Sequence, residues 1–220
     1  MPIAAPNAIG RRIFLAGAAS AWAARALGRP AAARSRGQIV TILGDSITAG
    51  YGLGAAEAFP AQLQRALQRL GVRALVRGAG VSGDTTAGGL ARVDFSVQPD
   101  TSLCIVALGG NDLLQGLEPA AARANLEAIV RKLRARGIKV VLCGLRAPGG
   151  LNARYARDYD AVFPAVAHRT GVPLYPDLLA GVEQNASLNQ RDGIHPNPTG
   201  VRIITARLAP VIARALGARG

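Results

Sequence analysis

Cysteine, histidine and aromatic residues are scarce in this chain. Its 220 residues include two cysteines and two histidines, and aromatic side chains make up 4% of the sequence. Cys104 and Cys143 each lie inside an apolar, strand-like run, so we expect two free thiols in the core without a catalytic or metal-binding role. A disulfide is the alternative, but its geometry between neighbouring parallel strands is demanding. The chain has neither an internal repeat nor a polar low-complexity tract, which excludes a solenoid or a largely disordered protein.

Lysine is also rare, although the chain is strongly basic. The chain has two lysines and 24 arginines but 13 acidic residues, which gives a formal net charge of +13. Several arginines recur at helical spacing, as Arg65 and Arg69 do, without the interleaved aromatic residues that stack on nucleic acid bases. We therefore expect solvated helix faces, no nucleic-acid partner, and at most weak contact with an anionic membrane surface.

Acidic residues are missing from the first 33 positions. Arg11 and Arg12 precede an apolar stretch, Ile13 to Leu27, which one arginine interrupts and which is shorter than the roughly 20 residues of a transmembrane helix. This layout is typical of a twin-arginine export signal. We predict such a signal over residues 1–33 and a periplasmic or secreted protein; a lasting membrane anchor is the alternative. The remaining chain, 34–220, is expected to be one domain with 22 basic and 13 acidic residues, a net charge of +9.

Short runs of β-branched and aliphatic residues alternate with stretches of helical periodicity from residue 39 onward. This alternation is typical of a parallel sheet with helices on both faces, so we predict a three-layer α/β/α sandwich of about five parallel strands. Apolar residues at helical spacing indicate helices over about 59–70, 122–133 and 198–216. The predicted strands are Ile39–Leu43, Val72–Val76, Leu103–Leu108, Ile138–Leu142 and Val172–Tyr175.

Polar, glycine-rich segments follow the first three predicted strands. They are Gly44–Gly50, Gly78–Asp84 and Gly109–Asp112. Because ligands of such sheets bind outside the carboxyl ends of the strands, we expect these three loops to line one site. A fourth segment, Asp192–Pro196, comes just before the last predicted helix and carries one of the two histidines.

Ser46, His195 and Asp192 have the residue types and spacing of a serine nucleophile with its base. A serine hydroxyl needs an adjacent base and a tight turn that exposes it, and Ser46 follows a glycine at a strand end. An aspartate three residues before a histidine can fold back to accept from Nδ1, which leaves Nε2 free to face the serine. Taken alone, the serine could equally be a helix N-cap. Its loop lacks the Gly-x-Gly-x-x-Gly and Gly-Lys-Ser patterns of phosphate-binding loops, and the chain has no Gly-x-Ser-x-Gly elbow.

Three further groups are candidates to stabilise negative charge at such a site. Acyl transfer places charge on the carbonyl oxygen, and this charge needs fixed hydrogen-bond donors. The backbone N–H groups of Ser46 and Gly83 and the side-chain amide of Asn111 could supply them. An ordinary turn role is the alternative for Asn111.

Other polar residues of these loops have simpler interpretations. Asp45, Asp84 and Asp112 lie in turn sequences that need an acceptor, so we expect them to fix loops rather than to catalyse. His168, near the end of a helical run, is expected at the surface or beside the helix dipole.

The four loop segments, in this order, resemble the motifs of the SGNH (GDSL) hydrolases, and within them the bacterial periplasmic thioesterase, lysophospholipase and arylesterase branch. The resemblance implies a flavodoxin-like fold and a Ser-His-Asp mechanism that uses neither a metal nor a cofactor. It also implies a small-molecule ester or thioester of an acyl group as substrate, hydrolysed through an acyl-enzyme. The matching segments are Gly44–Leu53, Gly80–Thr86, Leu108–Asp112 and Asp192–Asn197.

One loop departs from this family pattern. Residues 145–152 read Leu-Arg-Ala-Pro-Gly-Gly-Leu-Asn, whereas the family commonly has a proline-rich turn followed by Asn and Gly. Since this loop resembles the family's substrate-lining segment, Arg146 and Pro148 are the predicted substrate-binding residues, and the acyl-chain preference stays open. We expect a monomer. The alternatives are a carbohydrate O-deacetylase with the same catalytic residues, a non-catalytic lipid- or glycan-binding module, and a phosphate- or flavin-binding protein of similar fold.

Overall fold

A five-stranded parallel sheet forms the centre of the protein, seen in a computed structural model that describes residues 37–217. The strand order is β2-β1-β3-β4-β5, and all four pairings are parallel. This is the flavodoxin-like order of a doubly wound sheet. The predicted α/β fold class is therefore confirmed. The strands are β1 Gln38–Gly44, β2 Ala74–Gly80, β3 Leu103–Ala107, β4 Lys139–Cys143 and β5 Leu174–Tyr175.

Helices cover both faces of this sheet. The three predicted helices form as α2, α5 and α8, and the last one has the predicted bounds. Asn197 caps α8, because its side chain accepts from two backbone N–H groups of the first turn. Within the described residues the helices are α1 Ser46–Ala49, α2 Phe59–Arg69, α3 Thr86–Ser96, α4 Gly110–Leu114, α5 Pro119–Ala135, α6 Ala153–Asp160, α7 Val162–Thr170 and α8 Pro198–Leu216.

The second strand lies further along the chain than its hydrophobic pattern predicts. The prediction was 72–76, whereas β2 spans 74–80 and includes two glycines. Gly80 belongs to the strand because α1 packs directly on it: a Cβ atom there would lie 2.3 Å from the backbone nitrogen of Ala49. The pattern failed here because close helix packing, and not side-chain burial, selects the residues at this strand end.

Two separate hydrophobic clusters form the core, one on each face of the sheet. Helices α2 and α8 supply one, and α3, α5 and α7 supply the other. Cys143 belongs to the first cluster and Cys104 to the second, so the two thiols lie on opposite faces. Both are free, as predicted, and burial raises the pKa of each to about 12.

The predicted export signal at residues 1–33 lies outside the described residues. Within 37–217, the longest helix, α8, has 19 residues, and none of the helices has the length and apolar character required to span a membrane.

Candidate active site

The sheet brings the glycine-rich loops together at one edge. Strand β1 lies between β2 and β3, so its carboxyl end is flanked by the ends of the next two strands along the chain. This is the switch point of the sheet, where the chain turns outward to opposite sides and leaves a crevice. Ser46 follows β1 and lines this crevice together with Gly83, Asn111 and His195.

Ser46 is the first residue of the short helix α1. The carboxylate of Asp45 caps this helix, since its Oδ1 accepts from the backbone N–H of Ile47 at 3.1 Å. Asp45 is 7% exposed, and this burial raises its pKa to about 6. The cap fixes the turn that presents the half-buried Ser46 side chain to the crevice.

A continuous chain of hydrogen bonds joins Ser46, His195 and Asp192. The distance between Ser46 Oγ and His195 Nε2 is 2.9 Å, and that between His195 Nδ1 and Asp192 Oδ2 is 2.7 Å. The other oxygen of Asp192 accepts from the backbone N–H groups of Ile194 and His195, at 2.9 and 3.0 Å. These three hydrogen bonds lower the pKa of Asp192 to about 2, so the carboxylate is ionised throughout the neutral and mildly acidic range.

Sequence reasoning missed two residues that position His195: Tyr51, which contacts the imidazole, and Gln190, which contacts the backbone. The ring of Tyr51 packs against His195 with 4.5 Å between ring centroids. Gln190 connects the two segments: its side chain donates to the Tyr51 carbonyl at 2.8 Å, and its backbone N–H donates to the His195 carbonyl at 2.7 Å. Tyr51 lies in the first family-like segment, but no spacing rule linked it to residue 195.

The predicted charge-stabilising groups face the same crevice. Gly83 occupies the third position of a turn in which the Asp84 N–H donates to the Val81 carbonyl, and its φ of 81° is the left-handed value that glycine tolerates. No hydrogen bond uses the backbone N–H of Gly83 or Ser46 within residues 37–217. The amide of Asn111 donates to the Asp84 carbonyl at 2.9 Å, which orients its NH2 group and leaves a second N–H.

The loop aspartates accept hydrogen bonds, in keeping with the sequence prediction. Asp112 accepts from the backbone N–H and the hydroxyl of Thr86 at 2.8 and 2.5 Å, which ties the third loop to the second. Asp84 pairs with the buried Arg92, at 2.7 Å. His168 lies exposed in the last turn of α7, as expected.

The crevice opens into a cavity of about 440 Å³ with a mainly apolar wall. Both predicted substrate-binding residues, Arg146 and Pro148, line this cavity. Arg146 is mostly exposed and lies 3.8 Å from Asp160. Glu183 and Gln184, which the sequence did not suggest, line it too, and Gln184 is the one described non-glycine residue with positive φ, 59°. The apolar lining consists of Ile47, Leu113, Leu114, Leu145, Leu179 and Ile194.

The described part of the chain contains no group of three or more His, Cys, Asp or Glu side chains that could hold a metal ion.

The sequence profile of the GDSL-like Lipase/Acylhydrolase family matches residues 42–203, which include all four loops of the crevice. The chain belongs to this family. The predicted resemblance to SGNH (GDSL) hydrolases and the predicted enzyme class, a carboxylic ester hydrolase, are thereby confirmed.

Proteins similar to this GDSL-family chain are named as esterases or thioesterases. Esterase TesA of Pseudomonas aeruginosa is 39% identical over 160 residues, which cover 72% of this chain and 80% of that protein. Thioesterase 1/protease 1/lysophospholipase L1 of Escherichia coli K12 is 36% identical over 157 residues, 71% of this chain and 74% of that protein. The crystal structure of AlinE4, an SGNH-hydrolase family esterase, superposes with a TM-score of 0.68 at 44% identity and covers 82% of this chain and 97% of that one.

Proposed function

We propose that this protein is a serine esterase in which Ser46 is the nucleophile, His195 the general base and Asp192 the residue that orients the histidine. The observation that carries the proposal is the continuous hydrogen-bonded chain from Ser46 Oγ through the imidazole to the Asp192 carboxylate. Because Asp192 binds Nδ1, the neutral imidazole keeps its free electron pair on Nε2, the atom that faces the serine hydroxyl.

The reaction proceeds in two halves. His195 Nε2 takes the proton of Ser46 as Oγ attacks the acyl carbonyl, and the resulting imidazolium then protonates the leaving alcohol or thiol. Water repeats these steps on the acyl-enzyme and releases the carboxylic acid. In both halves the negative oxygen of the tetrahedral intermediate is held by the backbone N–H groups of Ser46 and Gly83 and by the Asn111 amide.

The apolar lining of the cavity supports the view that it binds the acyl group of the substrate. Six aliphatic side chains line it beside Ser46, and burial of an acyl chain against them contributes about 0.8 kcal/mol per methylene. The names of the relatives cover oxygen esters, thioesters and lysophospholipids. We therefore infer that the substrate is an ester or thioester of a small-molecule acyl group.

Three further proposals concern where and how the enzyme acts. The acid-free, twin-arginine pattern of residues 1–33 supports export to the periplasm or beyond. A net charge of +9 over 34–220, together with exposed apolar side chains at the cavity mouth such as Leu114 and Ile194, supports weak contact with an anionic membrane surface. One chain supplies every group that the mechanism uses, so a monomer is sufficient.

Hydrolysis of p-nitrophenyl acetate, butyrate, octanoate and palmitate by the protein and by Ser46→Ala tests the proposal. We expect the variant to lose at least about 10³-fold in kcat, because Ser46 carries the one hydroxyl that is hydrogen-bonded to the imidazole within residues 37–217. Ser187→Ala is the matched control, since it removes a hydroxyl whose partner is the side chain of Asn185 in an exposed turn.

Equal rates for Ser46→Ala and the unmodified protein would overturn the nucleophile assignment. If both rates equal that of the reaction without protein, a non-catalytic binding module is favoured. The chain-length series ranks the remaining substrates. Turnover confined to acetate would favour a carbohydrate O-deacetylase, whereas turnover of butyrate and octanoate would favour an acyl esterase or thioesterase.

A further inference from the structure

Arg92 is a buried guanidinium beside the proposed active site that the mechanism above does not use. It lies on α3, is 8% exposed, and makes four of the five hydrogen bonds that a guanidinium can donate. Burial of this charge is costly unless all its partners are well placed. Such a network specifies the positions of its partners more sharply than an apolar contact would.

The partners of Arg92 belong to the segments that carry the reacting groups. Nη2 donates to the carbonyl of Gly44 at 2.7 Å, two residues before Ser46. Nε donates to the carboxylate of Asp84 at 2.7 Å, directly after Gly83. Nη1 donates to the carbonyl of Ala79 at the end of β2, at 2.8 Å. One planar group therefore joins the end of β1, the end of β2 and the turn that follows β2.

This connection extends to the third proposed oxyanion donor. The backbone carbonyl of Asp84 accepts from the amide of Asn111 at 2.9 Å, so the residue that pairs with Arg92 also orients that side chain. The Gly44 carbonyl accepts a second hydrogen bond, from the backbone N–H of Val81 at 3.1 Å, within the same turn as Gly83. The segments that contain all three donors are thus linked to Arg92 directly or through one residue.

We infer that Arg92 is a positioning residue for the oxyanion hole: it sets the distance between the Ser46 and Gly83 N–H groups and, through Asp84, the orientation of the Asn111 amide. The inference rests on the proposed serine mechanism. Arg92 is not a catalytic residue, because its guanidinium lies behind the loops and does not line the cavity. The fork geometry is required, since the three N–H donors of a lysine share one nitrogen, whereas Arg92 reaches acceptors on three separate segments from three different nitrogens.

A purely structural role and the positioning role differ in which kinetic step they affect. Loss of stability alone leaves the kinetics of the folded fraction unchanged, whereas a misplaced donor weakens binding of the transition state and not of the substrate. For Arg92→Lys we expect kcat on p-nitrophenyl butyrate to fall about 10- to 100-fold with KM within about threefold, somewhat less than the loss of a whole donor.

Reaction with a p-nitrophenyl alkylphosphonate supplies an independent readout. Ser46 Oγ forms a bond to phosphorus, p-nitrophenolate leaves, and the serine proton passes to His195; the phosphoryl oxygen occupies the oxyanion hole. We expect the rate of adduct formation, followed by mass spectrometry of the intact protein, to fall for Arg92→Lys by the same factor as kcat. Arg77→Lys is the matched control, because it disrupts a bidentate Arg–Asp pair, with Asp100, that is exposed and does not line the cavity.

The outcomes separate the two proposals. If the unmodified protein forms no serine adduct and hydrolyses no ester, the proposed function fails. If it does both, and folded Arg92→Lys matches it within about twofold in kcat and adduct rate, the positioning role is overturned. A rise in KM equal to the fall in kcat/KM, with kcat unchanged, would also overturn it, because the lost interaction would then be one that the substrate and the transition state make equally.

Arg92→Lys can fail to fold because its partners are buried. In that case Asp84→Asn decides, since it keeps an oxygen that can accept from Arg92 Nε and removes only the charge. We expect a smaller loss of kcat with the same unchanged KM. Unchanged kcat and adduct rate in this variant, with circular dichroism equal to that of the unmodified protein, would contradict the inference.

Discussion

The end of the cavity that holds Ser46 and the end that holds Glu183 differ in how their side chains are fixed. At the first, short hydrogen bonds of 2.7 to 3.1 Å fix Asp45, Asp192, His195 and Asn111. At the second, the mostly exposed Arg146 meets its nearest carboxylate at 3.8 Å. The reacting groups are therefore preorganised, whereas the contact that holds the Arg146 side chain at the other end is long and screened by solvent.

This difference indicates where substitutions will act. Catalysis depends on donors that are already in place when charge develops, so changes at the Ser46 end should lower kcat sharply. Apolar packing of the acyl chain is non-directional and divided among many contacts, so changes at the Glu183 end should alter substrate preference by small factors.

The largest effect is expected for Asp192→Asn, which tests whether catalysis at the Ser46 end depends on the carboxylate of Asp192. The neutral amide would favour the imidazole tautomer with the proton on the nitrogen that faces Ser46, and kcat should fall by about 10³- to 10⁴-fold. Steady-state kinetics on p-nitrophenyl butyrate measures this. A loss below about tenfold would mean that the aspartate is dispensable and that another group orients His195.

The next effect is expected for Asn111→Ala. Loss of one oxyanion donor should lower kcat by about 10²- to 10³-fold with little change in KM. Asn125→Ala is the matched control, because that amide donates to the Thr86 hydroxyl, at 3.1 Å, and does not line the cavity. Equal losses for both variants would show that the loops, and not the donor, limit the rate.

Asp45→Asn tests whether burial of the Asp45 carboxylate, which caps the helix of Ser46, lowers the free energy of unfolding. The pKa of Asp45 rises from 3.8 to about 6 on folding, so the native state holds its proton more tightly than the unfolded chain does. The free energy of unfolding should therefore fall as pH rises through this range, by about 3 kcal/mol at most. Asparagine does not titrate, and its oxygen can still accept from the Ile47 N–H.

The variant should therefore gain stability relative to the unmodified protein between pH 4 and pH 8. Urea unfolding of both proteins at the two pH values measures this difference. A stability gap that stays constant with pH would mean that the buried carboxylate titrates near its ordinary value.

The same contrast explains how much the sequence predicts. The alternation of strands and helices predicts a parallel sheet covered by helices, because hydrophobic periodicity follows burial directly. Asp192 and His195 are found from sequence because they are three residues apart and bind each other within one turn. Ser46, Gly83 and Asn111 are found because each follows a strand, and parallel strands bring their carboxyl ends to one edge.

The missed residues depend on contacts between distant segments. Arg92 stands eight residues from Asp84 and 48 from Gly44, and nothing in the composition of α3 distinguishes it from a surface arginine. Glu183 and Gln184 reach the cavity from the stretch between the end of β5 and Asp192, which carries no glycine-rich motif to mark it. Tertiary packing alone brings such residues to the site.

The smallest effect is expected at the far end, for Glu183→Leu. Glu183 is half-buried and lines the cavity, and burial together with the nearby Asp177 and Asp160 carboxylates raises its pKa. An apolar chain packed here would bury its polar carboxyl group further, so this part of the wall disfavours such a chain. The leucine variant should raise the ratio of kcat/KM for p-nitrophenyl octanoate to kcat/KM for p-nitrophenyl acetate by about fourfold for each methylene that gains apolar contact, with kcat for acetate unchanged. Glu183→Gln separates charge from apolarity, because it removes the charge and keeps the shape. If Glu183→Leu leaves the octanoate-to-acetate ratio unchanged, the acyl chain does not reach Glu183. If this variant lowers the turnover of acetate as strongly as that of octanoate, the two ends of the cavity are coupled and the contrast between them is wrong.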